Sequence, residues 1–470
     1  MAEKRSSIRS DLLAWVSTSL RPEYVLLLAL FSVQAYLVAN SEGFHRIDEG
    51  ADFIDNVRAC KEPSISVGVW QRFGRVWLFA LPAQVGHKAV KVFASLLFLG
   101  IIFVCYKVAE LEKIRGKEWI VALVGFQPIL LDISYTCFAE LPAALLLILS
   151  YYYYRKSFWR TSLVLASSVF LFRFEMSIFA LIVFVAAIRE RKIPALPFVL
   201  FGPALWYAFS WFLRGDPVSL FNEFIEFSKF PKYAEGSTWT HYVGELPNIV
   251  GPVQVGLLIV LLVSDVLRKE TKCLVLYGTA AFCLVINTLA SSKALNWTGS
   301  VGDLRYIAPV APFVGILALR GLSVVVDALR KMPLSAVIPA ALSGMVVLSA
   351  VGGVKPHHLS LYEQGVMTLA RTATADSTNV PILSNHWAAT FAVLNIGNRM
   401  ESVLSLTEEH VRKQKRAYIL WDSQTANSPF SQQKLTLAEV RGDSSIALVD
   451  SVVVGHRVQY LFLKAPVSLR

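Results

Sequence analysis

Residues 161–192 read TSLVLASSVFLFRFEMSIFALIVFVAAIRERK, two apolar runs that meet at Arg173-Phe174-Glu175, the second of which ends in Arg189, Arg191 and Lys192. Read as one buried helix, the stretch crosses an apolar layer once; read as a hairpin of helices over 161–173 and 175–188, it crosses and returns. Basic residues decide between them, because loops on the cytoplasmic side of a membrane are enriched in Lys and Arg. With the hairpin, the N-terminal group (Lys4, Arg5, Arg9, Arg21), Lys113/Arg115/Lys117, Arg155/Lys156/Arg160, Arg189/Arg191/Lys192, Arg268/Lys269/Lys272 and Arg330/Lys331 all fall on one side. Losing one span puts the next cluster on the opposite side. The hairpin is therefore adopted, and the basic side is assigned to the cytoplasm.

Working outward from that hairpin, apolar runs of helical length lie at 24–40, 89–109, 119–133, 136–154, 194–213, 249–267, 273–290, 305–322 and 334–353. A hydrocarbon core about 30 Å thick takes roughly 17–25 residues per helix, so the chain reads as an α-helical polytopic membrane protein of about eleven transmembrane helices. Composition agrees. Of 470 residues 55% are hydrophobic and only 17% charged, against about a quarter charged in ordinary soluble domains. The net charge of +11, from 45 Lys and Arg against 34 Asp and Glu, gathers beside apolar runs, which argues against a nucleic-acid partner and for positive-inside orientation. Cys105, Cys137, Cys273 and Cys283 sit in apolar stretches and Cys60 in a polar loop, so neither a disulfide framework nor zinc-ligand spacing is present. No small-residue cleavage site follows the run at 24–39, which reads as an uncleaved first helix.

This arrangement expects a cytoplasmic N-terminus at 1–23, a membrane domain at 24–353 with outer loops at 41–87, 214–248 and 291–304, and a small extracytoplasmic α/β domain at 354–470. Trp70–Val85 is apolar and aromatic but interrupted by Arg72, Arg75 and Pro82, and reads as an amphipathic segment lying in the interface. In the C-terminal stretch, β-rich runs at 380–383, 417–421, 446–454 and 458–463 alternate with helix-like segments at 364–375 and 407–414.

Ionisable residues at the membrane edge are costly and mark function. Asp48 and Glu49 follow the first helix, Asp132 and Glu140 flank the turn before the fourth, Arg173 and Glu175 form the hairpin tip, and Asp303 and Arg305 open the tenth helix. The alternation of spans puts all of them on the outer side. Asp48, Asp52 and Asp55 are spaced i, i+4, i+7, one face of a helix starting near Asp48. For Asp52 and Asp55 a solvated helix start, where carboxylates suit the dipole, explains as much. The Asp48-Glu49 pair is suited to general-base chemistry or to helping hold a divalent metal, although no strict Asp-x-Asp follows. Arg173 and Arg305 offer planar donor forks that match phosphate oxygens. The alternative for Arg173 is an ion pair with Glu140 or Glu175, and for Arg305 snorkelling to the interface. His45 precedes Asp48 by three residues and either tunes it or is a plain interfacial histidine. Trp239, His241, Tyr242 and Trp297 stack on a sugar or isoprenoid, or form an aromatic belt; Asn296-Trp297-Thr298 fits a glycosylation sequon.

These residues resemble the GT-C superfamily of multi-spanning glycosyltransferases that use polyprenyl-phosphate-linked sugars, in particular its protein-mannosyltransferase-like bacterial members. The resemblance rests on Asp48-Glu49 in the first outer loop, Phe138-Ala139-Glu140-Leu141-Pro142 entering the fourth helix, Arg173-Phe174-Glu175, and Arg305-Tyr306-Ile307-Ala308-Pro309-Val310-Ala311-Pro312 opening a late helix. The motifs stand in the family's order over roughly residues 20–325. The resemblance implies a hexosyl- or pentosyltransferase, an integral membrane protein (of the plasma membrane in a bacterium), that moves a sugar with inversion from a polyprenyl-phosphate donor to a hydroxyl of a glycan, lipid or protein on the outer face. It implies Asp48 as catalytic base assisted by Glu49, Arg305 and Arg173 as donor-phosphate ligands, and Glu140, Glu175, His45 and Tyr306 as pocket residues. Two features depart from the mannosyltransferase type: no MIR-like outer domain is recognisable, and Phe174 stands where Pro is common. The competing reading is a transporter or flippase for a lipid-linked or anionic substrate, for which charges near the midplane and inverted repeats are expected. A membrane scaffold whose C-terminal domain does the work is a third, but that domain shows no catalytic signature.

Overall fold

The computed structural model describes residues 21–68, 70–228, 240–271, 273–291, 303–332, 337–376, 380–395, 402–426 and 435–465. Lys4, Arg5, Arg9, Lys272, Trp239, Trp297 and the sequon at Asn296 lie outside the described residues. The chain divides into two compact units, Met1–Asn40 with Asp55–Pro356 and Ser41–Ile54 with His357–Arg470.

The first unit is helical, and each expected apolar segment contains helix. Among the described residues, four helices are long and apolar enough to cross a membrane, Pro22–Asn40, His87–Leu111, Ile193–Arg214 and Leu304–Ala328; Trp159–Leu171, Leu274–Leu289 and Ile338–Gly353 are shorter apolar helices. The segment expected as one helix at 119–133 is broken. Ile120–Gly125 stops, Gln127 turns extended, and Pro128 starts a second helix to Ile133. A proline ring disfavours the helical region for the residue before it, and the buried Gln127 side chain donates instead to the Ala311 carbonyl at 3.0 Å. The hairpin at 161–192 turns as the charges require. Trp159–Ser168 tightens into a 3-10 turn, Arg173 is extended, and a second 3-10 turn at Phe174–Ser177 leads into Ile178–Arg189, which packs back on the first helix.

Small and polar residues hold these helices together, since apolar side chains gain little by leaving lipid for one another. The Ser150 and Ser162 hydroxyls donate to each other's carbonyls at 2.7 and 2.9 Å. Gln34 donates to Ser134 at 2.6 Å and accepts from Ser95 at 3.0 Å, linking three helical segments. At Gly321 the Leu257 carbonyl lies where a Cβ would stand, so only glycine admits that approach. Glu140–Arg155, about 24 Å long at about 1.5 Å per residue, carries charges at both ends. Near its C-terminus Tyr151 donates to Glu112 at 2.5 Å, and Arg155 and Arg320 pair with the same buried carboxylate. Phe73–Val85 has one face buried through Val76, Phe79, Ala80 and Ala83, while Trp77, Leu81 and Val85 form an exposed apolar stripe.

The second unit is built on a five-stranded sheet of β1 (Ile382–Leu383), β2 (Val403–Leu404), β3 (Ala417–Asp422), β4 (Ile446–Val454) and β5 (Arg457–Lys464), in the order β2-β1-β3-β5-β4. The first three pair in parallel, and β3-β5 and β5-β4 are antiparallel. Leu383, Leu406, Ile419, Val440 and Phe462 pack its core, with helices Leu361–Asp376 and Trp387–Asn395 alongside. The second of these starts on His386, whose Nδ1 accepts the Ala388 N–H at 3.1 Å. Burial holds the His386 pKa below the ordinary value of 6.5 despite the attraction of Asp422, with Arg457 adding to the depression. The folded state thus binds fewer protons than the unfolded one, and its stability, present above the unfolded pKa, falls as pH drops below 6.5. Hydrogen exchange of amides 387–395 is expected to quicken between neutral and mildly acidic pH, and His386→Gln to flatten that dependence. An unchanged profile in the variant removes His386 as the cause.

Candidate functional site

In the first unit, the positions where helices begin or break carry the charges. Glu140 opens Glu140–Arg155, Arg173 occupies the extended residue between two 3-10 turns, and Arg305 follows the N-cap Asp303 of Leu304–Val310. Glu140 is 3% exposed and Arg173 5%. Buried charges persist only where they are paired, and here the pairing is shared. One oxygen of Glu140 lies 3.0 Å from Arg173 Nη2 and 3.6 Å from Arg305 Nε. Arg173 Nε also meets Glu175 at 3.1 Å, and Arg305 Nε meets Asp303 at 3.3 Å. The other Asp303 oxygen accepts the Arg305 backbone N–H at 3.1 Å, fixing the turn that presents the guanidinium.

Aromatic faces support the guanidinium planes, a geometry that stabilises a desolvated cation and fixes its orientation. Arg173 lies 4.3 Å from the Tyr306 ring centroid; Arg305 lies 4.3 Å from that of Phe138 and 5.3 Å from that of Tyr306. Tyr242, fully buried, donates to the Asp303 carbonyl at 3.3 Å, and His241 stacks edge-on against it. A third arginine joins the group, one that the sequence reading treated only as an interruption of an amphipathic segment. Arg72 lies 3.9 Å from Glu175 and 4.3 Å from the Phe174 ring centroid. Its φ of 59° is costly for a side-chain-bearing residue and persists only where the surroundings enforce it. The signal in the sequence was a guanidinium in an apolar run. Arg72, Arg173 and Arg305 thus balance Glu140, Glu175 and Asp303 in formal charge. Each guanidinium presents a planar fork of donors that matches the oxygens of a phosphate as well as those of a carboxylate.

Glu140→Ala is expected to be the most destabilising change here, because it takes away the carboxylate that two buried arginines share. Removing one partner of a buried pair costs about 3–5 kcal/mol, whereas Ser150→Ala, which removes one interhelical hydrogen bond, costs about 0.6 kcal/mol. Unfolding of the purified protein in detergent checks the contrast, and similar losses for both disprove it.

His45, Asp48 and Glu49 belong to the second unit. Asp48 lies exposed in the first turn of helix Arg46–Ala59. Glu49 is buried, and its carboxylate accepts the His45 backbone N–H, a capping interaction that fixes the helix start. The His45 ring meets that of His357 edge-on at 5.0 Å between centroids. Asp55 falls in the first unit. Burial raises its pKa against the attraction of Arg75 and Arg58 and a hydrogen bond with Gln71. Glu140, Arg173, Glu175, Arg305 and Tyr306 therefore come together as one cluster, and His45, Asp48 and Glu49 lie on one segment of the other unit.

No protein-family model matches the sequence, and no curated protein matches it. Solved structures do match the fold. ArnT from Cupriavidus metallidurans bound to undecaprenyl phosphate aligns with a TM-score of 0.61 at 10% identity, covering 93% of this chain and 97% of that one. The apo form of the same protein aligns with a TM-score of 0.60 at 11% identity, covering 96% and 98%. Along nearly its whole length, this chain has the fold of ArnT.

Proposed function

We propose that the protein is an integral-membrane glycosyltransferase of the GT-C type that takes its sugar from a polyprenyl-phosphate donor. One observation carries this reading. A chain with the fold of a protein crystallised with undecaprenyl phosphate gathers Arg72, Arg173 and Arg305 in a buried, aromatic-backed cluster, the chemistry that binds a lipid phosphate. In the proposed reaction the acceptor hydroxyl attacks the anomeric carbon and Asp48 takes its proton. The bond to the phosphate oxygen breaks with its electron pair, and Arg305 and Arg173 stabilise the charge that develops on the leaving phosphate. A single displacement inverts the anomeric carbon. Glu49 holds the start of the helix that bears the base.

About eleven helices crossing the plasma membrane, with the reaction on the extracytoplasmic side, complete the proposal; the positive-inside pattern supports that orientation. The acceptor belongs to the classes of glycan, lipid or protein hydroxyls. The fold match is to ArnT and lends no support to a mannosyltransferase subtype.

The test is incubation of the purified protein in lipid nanodiscs with a panel of labelled polyprenyl-phosphate sugars. The expected result is consumption of one donor with release of polyprenyl phosphate. Translocation of intact donor across proteoliposomes without loss of its sugar shows a flippase instead.

A further inference from the structure

We infer that the second unit fixes the Asp48 segment in place, with Trp387 as the principal positioning residue and Phe391 as its neighbour; for the reaction itself this rests on Asp48 being the base. Residues 41–54 belong to the same compact unit as 357–470, although they are remote in sequence. Backbone bonds attach the segment at its start. The His357 N–H donates to Ser41 Oγ at 2.8 Å, and the Gly43 N–H donates to the His357 carbonyl at 2.9 Å.

Aromatic packing then closes on both sides of Asp48. Before it, the Phe44 ring stands edge-on to Trp387 and to Phe391, each at 5.0 Å between centroids. After it, Phe53 meets Phe391 at 5.9 Å and Phe44 at 5.5 Å. Between them, Gly50 lies directly beneath the Trp387 indole. A Cβ at that position would come within 2.5 Å of ring atoms Cδ2 and Cε2, closer than any side chain tolerates. Glu49 is buried and bonded to the His45 N–H while Asp48 is exposed, so the packing fixes the turn and presents the carboxylate.

The chemistry gives this arrangement a purpose. Misplacing a reacting group by about 1 Å costs about 100-fold in rate, and a local cap such as that of Glu49 fixes the turn but not where the turn stands in the unit. Trp387 does not act on substrate; it determines where Asp48 stands. Its loss therefore affects the chemical step and leaves donor-phosphate binding by the arginines unaltered.

Full-length protein in nanodiscs tests this with hydrogen exchange and kinetics together. For Trp387→Ala the expectation is about tenfold faster exchange of amides 43–54, kcat lower by about 30- to 100-fold, and a donor KM within about twofold of wild type. Trp387→Phe, which keeps an aromatic ring and guards against misfolding of the alanine variant, is expected to retain most of kcat. Gly50→Ala should reproduce the Trp387→Ala defect, and the double variant should be no worse than Trp387→Ala alone, because the added methyl enters space the indole has left. Unchanged exchange at 43–54 in Trp387→Ala overturns the inference, as does faster exchange with wild-type kcat, or a loss expressed in donor KM alone. Exchange needs no turnover, so a wild-type protein that consumes no lipid-linked sugar removes the glycosyltransferase reading while the exchange result still decides whether Trp387 holds the segment.

Discussion

Asp48→Asn protein is expected to fold and insert as wild type and to lose about 10²–10⁴-fold in sugar transfer, the usual contribution of a positioned general base. The amide keeps the size and shape of the carboxylate but cannot take a proton from an attacking hydroxyl. Stability should not move with activity. Asp48 is exposed, and the like charge of Asp52 four residues on is relieved by the change, so unfolding should stay within about 0.5 kcal/mol of wild type. Initial rates at saturating donor, paired with thermal unfolding, separate the two effects. A variant that transfers at the wild-type rate ends the assignment of Asp48 as base, and one that unfolds early would show that the residue is structural.

The charges read from sequence divide by how local their reasons are. Glu140, Arg173 and Arg305 were legible because each interrupts an apolar run at a point where a helix begins or breaks, so the cost of placing them there is visible from hydropathy alone. Arg72 was not, since a cation in a short aromatic segment has the same local pattern whether it snorkels or turns inward; its packing on Phe174 depends on a hairpin tip about a hundred residues away in sequence. The break at Gln127 was missed for a different reason. Its sequence signal was Pro128, but the apolar residues around it read as one continuous run, and the Ala311 carbonyl that satisfies Gln127 at the break is remote in sequence. Glu112 escaped notice because it stands among basic residues that suffice to explain sidedness, and only tertiary packing reveals its contacts with Arg320 and Tyr151. In the second unit the short parallel strands β1 and β3 and the longer β4 and β5 followed from β-rich runs, but the inclusion of residues 41–54 could not. It depends on Phe44 and Gly50 meeting Trp387, a pairing that no local pattern encodes.

The Arg305→Ala variant decides whether the arginine cluster is a binding site or an interhelical lock, because the two roles predict different observables. As a phosphate ligand, Arg305 contributes charge-assisted hydrogen bonds of about 1.5–3 kcal/mol, so its loss should weaken donor affinity by roughly 10- to 150-fold. As a lock, Arg305 pairs with Glu140 and Asp303, and its loss leaves those carboxylates less compensated at a cost of about 3–5 kcal/mol in stability with donor affinity unchanged. Arg305→Lys sharpens the distinction. It keeps the positive charge beside Glu140 but gives up the planar fork and the stacking on Phe138, so a lock should be largely restored while a bidentate phosphate site should not. Direct binding of polyprenyl phosphate to the purified variants, measured beside their unfolding, gives both axes. The glycosyltransferase reading expects Arg305→Lys to recover stability and still bind donor weakly. Wild-type affinity in both variants would leave the cluster as structure alone and move the search for the phosphate site elsewhere.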